Sequence, residues 1–150
     1  MQKNVVILVA EDDEGHAGLI KRNLARSGIV NTVMVFRDGQ EILDFLFRKG
    51  EGPHRQPGGS YILLLDIRMP KVDGVEVLRQ VKADPELRKL PVTMITTTDD
   101  PREVAHCHAL GCGSYITKPI DYDNFVSTIR QLGLFLAVVQ VPTINGEKVE

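Results

Sequence analysis

Four short polar segments contain residue types that could act together in phosphoryl transfer. They are Glu11-Asp12-Asp13, Asp66, Thr96-Thr97-Thr98 and Lys118-Pro119. A carboxylate attacks phosphorus poorly because two anions repel, so a protein that phosphorylates an aspartate must hold a divalent cation beside it. An all-oxygen site with few protein ligands suits Mg²⁺. The set therefore predicts a magnesium-assisted transfer of a phosphoryl group to a carboxylate.

Each residue type has a distinct role in that chemistry. The carboxylates of Glu11, Asp12 and Asp66 would hold Mg²⁺. Lys118 would offer an ammonium group to the phosphoryl oxygens, and Thr96 would offer a hydroxyl. Each segment alone is also typical of an ordinary turn, helix cap or strand end. Their occurrence together, after successive strands, is what favours a phosphoacceptor site.

The elements that must position these residues follow from the apolar pattern. Each polar segment comes after a short apolar run, at residues 5–9, 62–65, 92–95 and 115–117. The runs alternate with segments of helical period, as in βα units whose parallel sheet is buried on both faces. Sites in open parallel sheets form at the carboxyl ends of strands. We therefore predict an α/β fold, a three-layer (βα)5 doubly wound sandwich around a five-stranded parallel sheet.

The remaining elements are predicted from helical periodicity and turn residues. One further strand is expected at 32–36, and the strand that contains the run at 62–65 is expected to begin at Tyr61. Helices are expected from Glu14 to Arg26, after Asp38, through Val75 and Val81, from Asp100-Pro101 to Gly111, and from Tyr122 onward. Residues 49–60 are rich in glycine, proline and charge, which predicts an exposed loop.

Composition excludes several functional classes. A chain of 150 residues suits one domain, and a net charge of -2 with scattered Lys and Arg argues against nucleic-acid binding. Cys107 and Cys112 are expected to be free thiols in a reduced compartment. The first residues lead straight into a strand, so we expect neither a signal peptide nor a membrane span there. The expected location is the cytoplasm.

Three segments resemble the motifs of the receiver domain of two-component response regulators, the CheY-like family. They are VAEDD at 9–13, LDIRMPKVDG at 65–74 and GCGSYITKP at 111–119. The resemblance covers residues 4 to 132 and implies the flavodoxin-like receiver fold. It also implies that Asp66 is the phosphoacceptor and that Lys118 contacts the phosphoryl group.

The resemblance further implies a metal site and a switch. Asp12 and the backbone carbonyl of Arg68 would bind Mg²⁺ directly beside Asp66, and Glu11 would act mainly through water. Thr96 would be the switch hydroxyl, which moves toward the phosphoryl oxygens. Tyr115 would then swing inward to fill the vacated space. Helix four, strand five and helix five would form the output surface.

Residues 132–139, LGLFLAVV, are apolar on every helix face. One face is enough to pack against the core, so a second apolar face is left over. The run is shorter than the about 20 residues that span a bilayer. The extra face packs either on this chain or on another subunit. We favour a homodimer through helix four, strand five, helix five and the tail. Residues 140–150 would be a loose tail or an arm to the partner, so we divide the chain into a receiver domain, 1–132, and a dimerisation extension, 133–150.

The long loop and the tail are similar to those of small regulators paired with phytochrome-type histidine kinases. That similarity implies a bacteriophytochrome kinase as the phosphodonor. It also implies a single-domain regulator that is not an enzyme and that signals by protein contacts. A phosphoryl shuttle to a histidine phosphotransfer protein remains the alternative.

Three other classes agree less well with the sequence. A flavodoxin-like flavin binder needs a phosphate-cradling loop after strand one, where Glu11-Asp12-Asp13 would repel a phosphate. A haloacid-dehalogenase-type phosphatase needs a second aspartate two residues after the first, where Arg68 stands. A zinc site near His106-Cys107-His108 would align only His108 and Cys112.

Overall fold

The computed structural model describes residues 1–144, and within them five parallel strands form one sheet in the order β2-β1-β3-β4-β5. The strands are β1 (Val6–Ala10), β2 (Val33–Phe36), β3 (Tyr61–Leu65), β4 (Val92–Thr96) and β5 (Ser114–Thr117). The helices are α1 (Glu14–Arg26), α2 (Gly39–Phe47), α3 (Gly74–Ala83), α4 (Pro101–Leu110) and α5 (Tyr122–Leu136), with a short 3₁₀ helix at Leu87–Lys89. The predicted doubly wound sandwich is confirmed.

The sheet is buried on both faces because two of its interior strands, β1 and β3, are apolar at every position. Side chains of a strand alternate between faces. In β1, Leu8 and Ala10 pack into the cluster that contains α2, α3 and α4 residues, whereas Ile7 and Val9 pack into the cluster built with α1 and α5. Two helical layers therefore enclose the sheet, which explains the continuous apolar runs.

Every α-helix begins at an aspartate whose side chain accepts a hydrogen bond from a backbone N–H group of the first turn. These N-caps are Asp13, Asp38, Asp73, Asp100 and Asp121. Each helix starts shortly after a strand ends. The helix N-termini therefore lie at the same edge of the sheet as the polar segments that follow the strands.

Helix α5 continues to Leu136, so residue 132, the expected end of the receiver domain, lies inside a helix. Residues 137–144, which we call the C-terminal strap, then cross the amino edge of the sheet. The side chain of Gln2 donates to the Val141 carbonyl at 3.0 Å and accepts from the Val141 N–H at 3.2 Å. The N-terminal amine donates to the Ala137 carbonyl. The part of the predicted tail at 145–150 lies outside the described residues.

The strap ends in the core. Ile144 is fully buried and forms an antiparallel bridge with Gly59, to whose carbonyl its N–H donates at 2.8 Å. The strap therefore joins the loop at 49–60 to the rest of the molecule. That loop is mostly exposed, as expected, but Arg55 is an exception at 6% exposure. Its Nε donates to the Leu46 carbonyl at 2.7 Å.

Both cysteines are free thiols, as predicted, and both are buried. Among residues 1–144, no helix combines the length and the apolar character needed to cross a membrane.

Candidate functional site

The carboxyl ends of β1 and β3 place the first two carboxylates side by side. Ala10 pairs with Leu65, and the N–H of Asp66 donates to the Ala10 carbonyl at 3.0 Å. Glu11 and Asp66 are therefore the next residues on two neighbouring strands. The order of the sheet reverses between these strands, and ligands of open α/β sheets bind at such a switch point.

Glu11, Asp12 and Asp66 form an acidic trio. One carboxylate oxygen from each lies within 4.8 Å of the others. Glu11 and Asp66 are buried, and Asp12 is exposed to solvent. Hard oxygen donors with access to water are the ligands that Mg²⁺ prefers. The donor set therefore fits a divalent cation, with Asp12 on the side from which the ion would enter.

Lys118 lies among these carboxylates and offsets part of their charge. It follows β5, and its backbone N–H donates to the Thr96 carbonyl at 2.6 Å. Its Nζ donates to Glu11 Oε1 and, at 3.1 Å, to Asp66 Oδ2. The lysine is 4% exposed. A buried ammonium group between two buried carboxylates is consistent with the predicted phosphoryl contact.

Burial dominates the electrostatics of Glu11. Desolvation raises the pKa of its carboxyl group to about 7, although hydrogen bonding and attraction by Lys118 lower it. The second oxygen of Asp66, Oδ1, accepts from the N–H of Ile67 at 2.7 Å. Both oxygens of Asp66 therefore have donors, which fixes the orientation of its carboxylate.

Thr96 ends β4 and is fully buried. Its Oγ1 and Asn23 Oδ1 are the two buried side-chain polar atoms without a hydrogen-bond partner among residues 1–144. An unsatisfied buried hydroxyl costs about 1 to 3 kcal/mol. The Thr96 hydroxyl is therefore a hydrogen-bond donor without a partner in this part of the chain. It lies at the end of β4, the strand next to β3, and is available to an oxygen atom of a ligand.

Tyr115 and Arg68 lie toward the outside of the site. Tyr115 is half-buried, and its hydroxyl donates to the Thr98 carbonyl at 2.8 Å. Burial raises the pKa of this phenol to about 12. Arg68 is exposed and lines a cleft of about 550 Å³ together with Asp12 and Glu103. Asp12, the exposed member of the acidic trio, thus opens onto this cleft.

Two glycines hold the loop after Asp66 in place. The N–H of Gly74 donates to the Ile67 carbonyl at 2.7 Å, and a Cβ on Gly74 would lie 2.0 Å from the Asp66 carbonyl oxygen. A Cβ on Gly39, at the start of α2, would lie 1.8 Å from the Val72 carbonyl oxygen. Side chains larger than hydrogen would displace backbone at both positions, so the close approach requires glycine.

Sequence reasoning assigned no partner to His16, yet the structure places it at the site. Its Nδ1 lies 3.2 Å from Lys118 Nζ, and its ring packs edge-on against Phe125 at a centroid distance of 5.3 Å. A usable signal was its position three residues after the N-cap Asp13, since that end of α1 faces the carboxyl edge of the sheet. The contacts themselves join residues about a hundred positions apart and leave no local pattern.

The zinc alternative gains no support. His108 Nδ1 lies 3.8 Å from Cys112 Sγ. Among the described residues, the acidic trio is the one group of three or more His, Cys, Asp or Glu side chains close enough to share an ion.

Comparison with known proteins agrees with this geometry. The sequence profile of the response regulator receiver domain matches residues 7–130. The crystal structure of a response regulator receiver domain from Rhodospirillum rubrum shares 44% sequence identity and superposes with a TM-score of 0.88, covering 94% of this chain and 99% of that one.

Two named regulators are also similar. Response regulator Rcp1 of Synechocystis sp. is 30% identical over 138 residues, which cover 91% of this chain and 92% of Rcp1. Its Mn²⁺-bound crystal structure gives a TM-score of 0.83. The bacteriophytochrome response regulator RtBRR is 40% identical, with a TM-score of 0.72 over 95% of this chain and 84% of that one. The chain belongs to the response regulator receiver domain family and resembles the response regulators of phytochromes.

Proposed function

We propose that the protein is a two-component response regulator that accepts a phosphoryl group on Asp66 from a histidine kinase. The observation that carries the proposal is the placement of Lys118, whose ammonium group donates to both Glu11 and Asp66 inside the acidic trio. Such a site can hold a nucleophilic carboxylate and neutralise the charge that arrives with a phosphoryl group.

In the proposed step, a carboxylate oxygen of Asp66 attacks the phosphorus of a phosphohistidine. The new O–P bond forms as the N–P bond breaks, and the imidazole leaves with the electron pair. Lys118 would exchange its contact with Asp66 for a phosphoryl oxygen. The hydroxyl of Thr96, which lacks a partner among the described residues, would donate to another. Tyr115 would then change its packing and carry the signal to α4, β5 and α5.

Mg²⁺ is the proposed cofactor. Glu11, Asp12, Asp66 and the backbone carbonyl of Arg68 would hold it, and it would neutralise negative charge at the phosphoryl oxygens. Support comes from the all-oxygen donor set and from the Mn²⁺-bound form of Rcp1, because Mn²⁺ and Mg²⁺ both favour oxygen ligands.

The proposed phosphodonor is a phytochrome-type histidine kinase. The similarity to RtBRR, a bacteriophytochrome response regulator, supports this choice, and it extends over 95% of the chain. The cognate kinase would then be a red-light sensor, and phosphorylation of Asp66 would depend on light.

We further propose a homodimer through α4, β5, α5 and the region after residue 132. Three large apolar side chains are exposed at the end of α5 and the start of the strap: Leu134 at 65%, Phe135 at 55% and Val138 at 74%. Grouped exposed apolar side chains often mark interfaces. The strap residues that pack on their own chain would still leave this surface free for a partner.

The test of phosphoacceptance is the intact mass of the protein after incubation with phosphoramidate, with Mg²⁺ or with a chelator. We expect one phosphoryl adduct with Mg²⁺ and none with chelator. Asp66→Asn should form no adduct, and Asp99→Asn, which changes an exposed aspartate after β4, should behave like the wild type. An adduct on Asp66→Asn would contradict the assignment.

The test of the dimer is sedimentation of matched charge variants. Leu134→Glu should shift the protein to the monomer. Val30→Glu is the control, because Val30 is 84% exposed and lies outside the proposed surface. This variant should leave the oligomeric state unchanged. A monomeric wild type at all concentrations would exclude this dimer and leave the phosphoacceptor proposal untouched.

A further inference from the structure

The ammonium group of Lys118 has three N–H donors, and three acceptors surround it. Two are carboxylate oxygens, Glu11 Oε1 and Asp66 Oδ2. The third is Nδ1 of His16 at 3.2 Å. For this nitrogen to accept a hydrogen bond, the imidazole must carry its proton on Nε2. Lys118 is therefore held from α1 as well as from β1 and β3.

The imidazole of His16 is fixed in an orientation that directs Nδ1 toward Lys118. Its ring meets Phe125 of α5 edge-on, at an interplanar angle of 82°. Its backbone N–H donates to Asp13 Oδ1 at 3.0 Å, which anchors the first turn of α1. The other oxygen of Asp13 lies 3.9 Å from Nδ1, too far for a hydrogen bond. The contact with Lys118 is thus the shorter of the two polar contacts of Nδ1.

The contact between His16 and Lys118 matters because Lys118 must give up one of its three acceptors during phosphoryl transfer. When Asp66 becomes an acyl phosphate, its negative charge moves to the phosphoryl oxygens, and Lys118 must follow it. The contacts with Glu11 and His16 do not involve the reacting oxygen. They would remain as two anchors that set where the ammonium group points.

We propose that His16 is a positioning residue that orients Lys118 toward the phosphoryl group. The proposal rests on the proposed function, since it assigns a role in the same reaction. His16 does not touch the reacting atoms and acts through Lys118. A histidine that was only part of the surface would give no change in rate when its acceptor nitrogen was removed.

Two substitutions test separately the roles of the acceptor nitrogen and of the aromatic ring of His16. His16→Phe keeps an aromatic ring against Phe125 but removes Nδ1. His16→Asn loses the ring but keeps an acceptor near the position of Nδ1. We expect His16→Phe to lower the initial rate of phosphorylation by phosphoramidate, at saturating Mg²⁺, about two- to tenfold, the range for one lost hydrogen bond. We expect His16→Asn to restore most of that rate, with the affinity for Mg²⁺ unchanged in both variants.

A double-mutant cycle tests whether the effect passes through Lys118. In a Lys118→Met background, His16→Phe should have no further effect, because contacting residues are not additive. A wild-type rate for His16→Phe, or an equal loss in both backgrounds, would overturn the positioning role while leaving phosphoacceptance established.

A second readout does not need phosphorylation. Long-range ¹H–¹⁵N spectra of the imidazole should show an unprotonated Nδ1 that shifts when Lys118 is replaced by methionine. If the wild type takes no phosphoryl group at all, the proposed function fails, and this spectrum alone decides whether His16 holds Lys118. A resonance that does not respond to Lys118→Met would overturn the inference.

Discussion

At the scale of single residues, two threonines of β4 differ in what their hydroxyl groups contact. Thr93 Oγ1 lies 2.9 Å from Ser114 Oγ on β5. Thr96 Oγ1, three residues later, is buried and has no partner among residues 1–144. A buried hydroxyl without a partner at the end of a strand lowers the stability of the folded protein. Such unsatisfied groups occur at functional sites.

The difference predicts opposite effects of the same substitution. Thr96→Val removes an unsatisfied hydroxyl and should raise the free energy of unfolding by about 1 kcal/mol in the unphosphorylated protein. Thr93→Val breaks a hydrogen bond on the same strand and should lower it by about 1 kcal/mol. Urea denaturation of both variants makes the comparison. Equal destabilisation would mean that Thr96 has a partner in solution.

The exposed member of the acidic trio provides the second prediction. Asp12→Asn removes one charge from the proposed metal site, and we expect the affinity for Mg²⁺ to fall at least tenfold, since even outer contacts of metal sites cost 10- to 100-fold. The chain has no tryptophan, so titration calorimetry is the suitable measurement. Asp99→Asn is the control, and unchanged affinity in Asp12→Asn would exclude this carboxylate as a ligand.

Three residues of the site were predictable from sequence because each one follows an apolar strand directly. Strand position alone therefore fixed the location of Glu11, Asp66 and Lys118. The partner of His16 was not predictable, because its contacts with Lys118 and Phe125 depend on how α1 and α5 pack. The burial of Arg55 was not predicted for a similar reason. Nothing in the local sequence of a glycine-rich loop indicates that a distant segment of the chain will cover a charged side chain.

At the scale of elements, the site depends on close backbone contact between β3 and α3. Gly74 begins α3 and lies so near Asp66 that a Cβ would be 2.0 Å from its carbonyl oxygen. The loop from Ile67 to Asp73 is therefore closed over the strand end. Any displacement of α3 would move the proposed nucleophile.

This contact predicts that Gly74→Ala destabilises the protein, although alanine favours helices by about 0.5 to 1 kcal/mol over glycine. Backbone must move to admit the methyl group, and overpacking of this kind costs about 1 to 3 kcal/mol. Gly52→Ala is the control because a Cβ there meets no atom within 4 Å. Thermal unfolding of the two variants should separate them, and equal stability would contradict the close approach.

The order and type of the elements were predicted well because strand and helix periods alternate without interruption. Their ends were less accurate, as at β1, which was expected at 5–9 and spans Val6–Ala10. For α5, which runs to Leu136, no end was predicted. Residues 132–136 are apolar on every face, so their pattern does not show where the helix stops. The 3₁₀ helix at Leu87–Lys89 was missed because a short turn between prolines has no period to detect.

At the scale of the whole molecule, the proposed chemistry and the strap occupy opposite edges of the sheet. The acidic trio follows the carboxyl ends of β1 and β3. The strap contacts Gln2 and Gly59, which precede those same strands. Stability contributed by the strap should therefore be separable from phosphorylation.

Ile144→Ala tests that separation. The side chain is fully buried, so its truncation should cost about 2 to 5 kcal/mol of unfolding free energy. Thr143→Ala, at an exposed strap position that is not among the three apolar side chains of the proposed interface, should cost less than about 0.5 kcal/mol. Chemical denaturation gives the stabilities, and intact mass should show that both folded variants still accept a phosphoryl group. Normal stability of Ile144→Ala would mean that the strap does not dock in solution.

The strap also bears on the kinetics of folding. Its hydrogen bonds join Met1 to Ala137 and Gln2 to Val141, residues separated by 136 and 139 positions. Contacts of such long sequence separation carry a high entropy cost of loop closure and tend to form after the folding nucleus. Weakening them should accelerate unfolding and leave the folding rate nearly unchanged. The strap would then set how long the native state lasts before it opens, while the sheet sets how fast it forms.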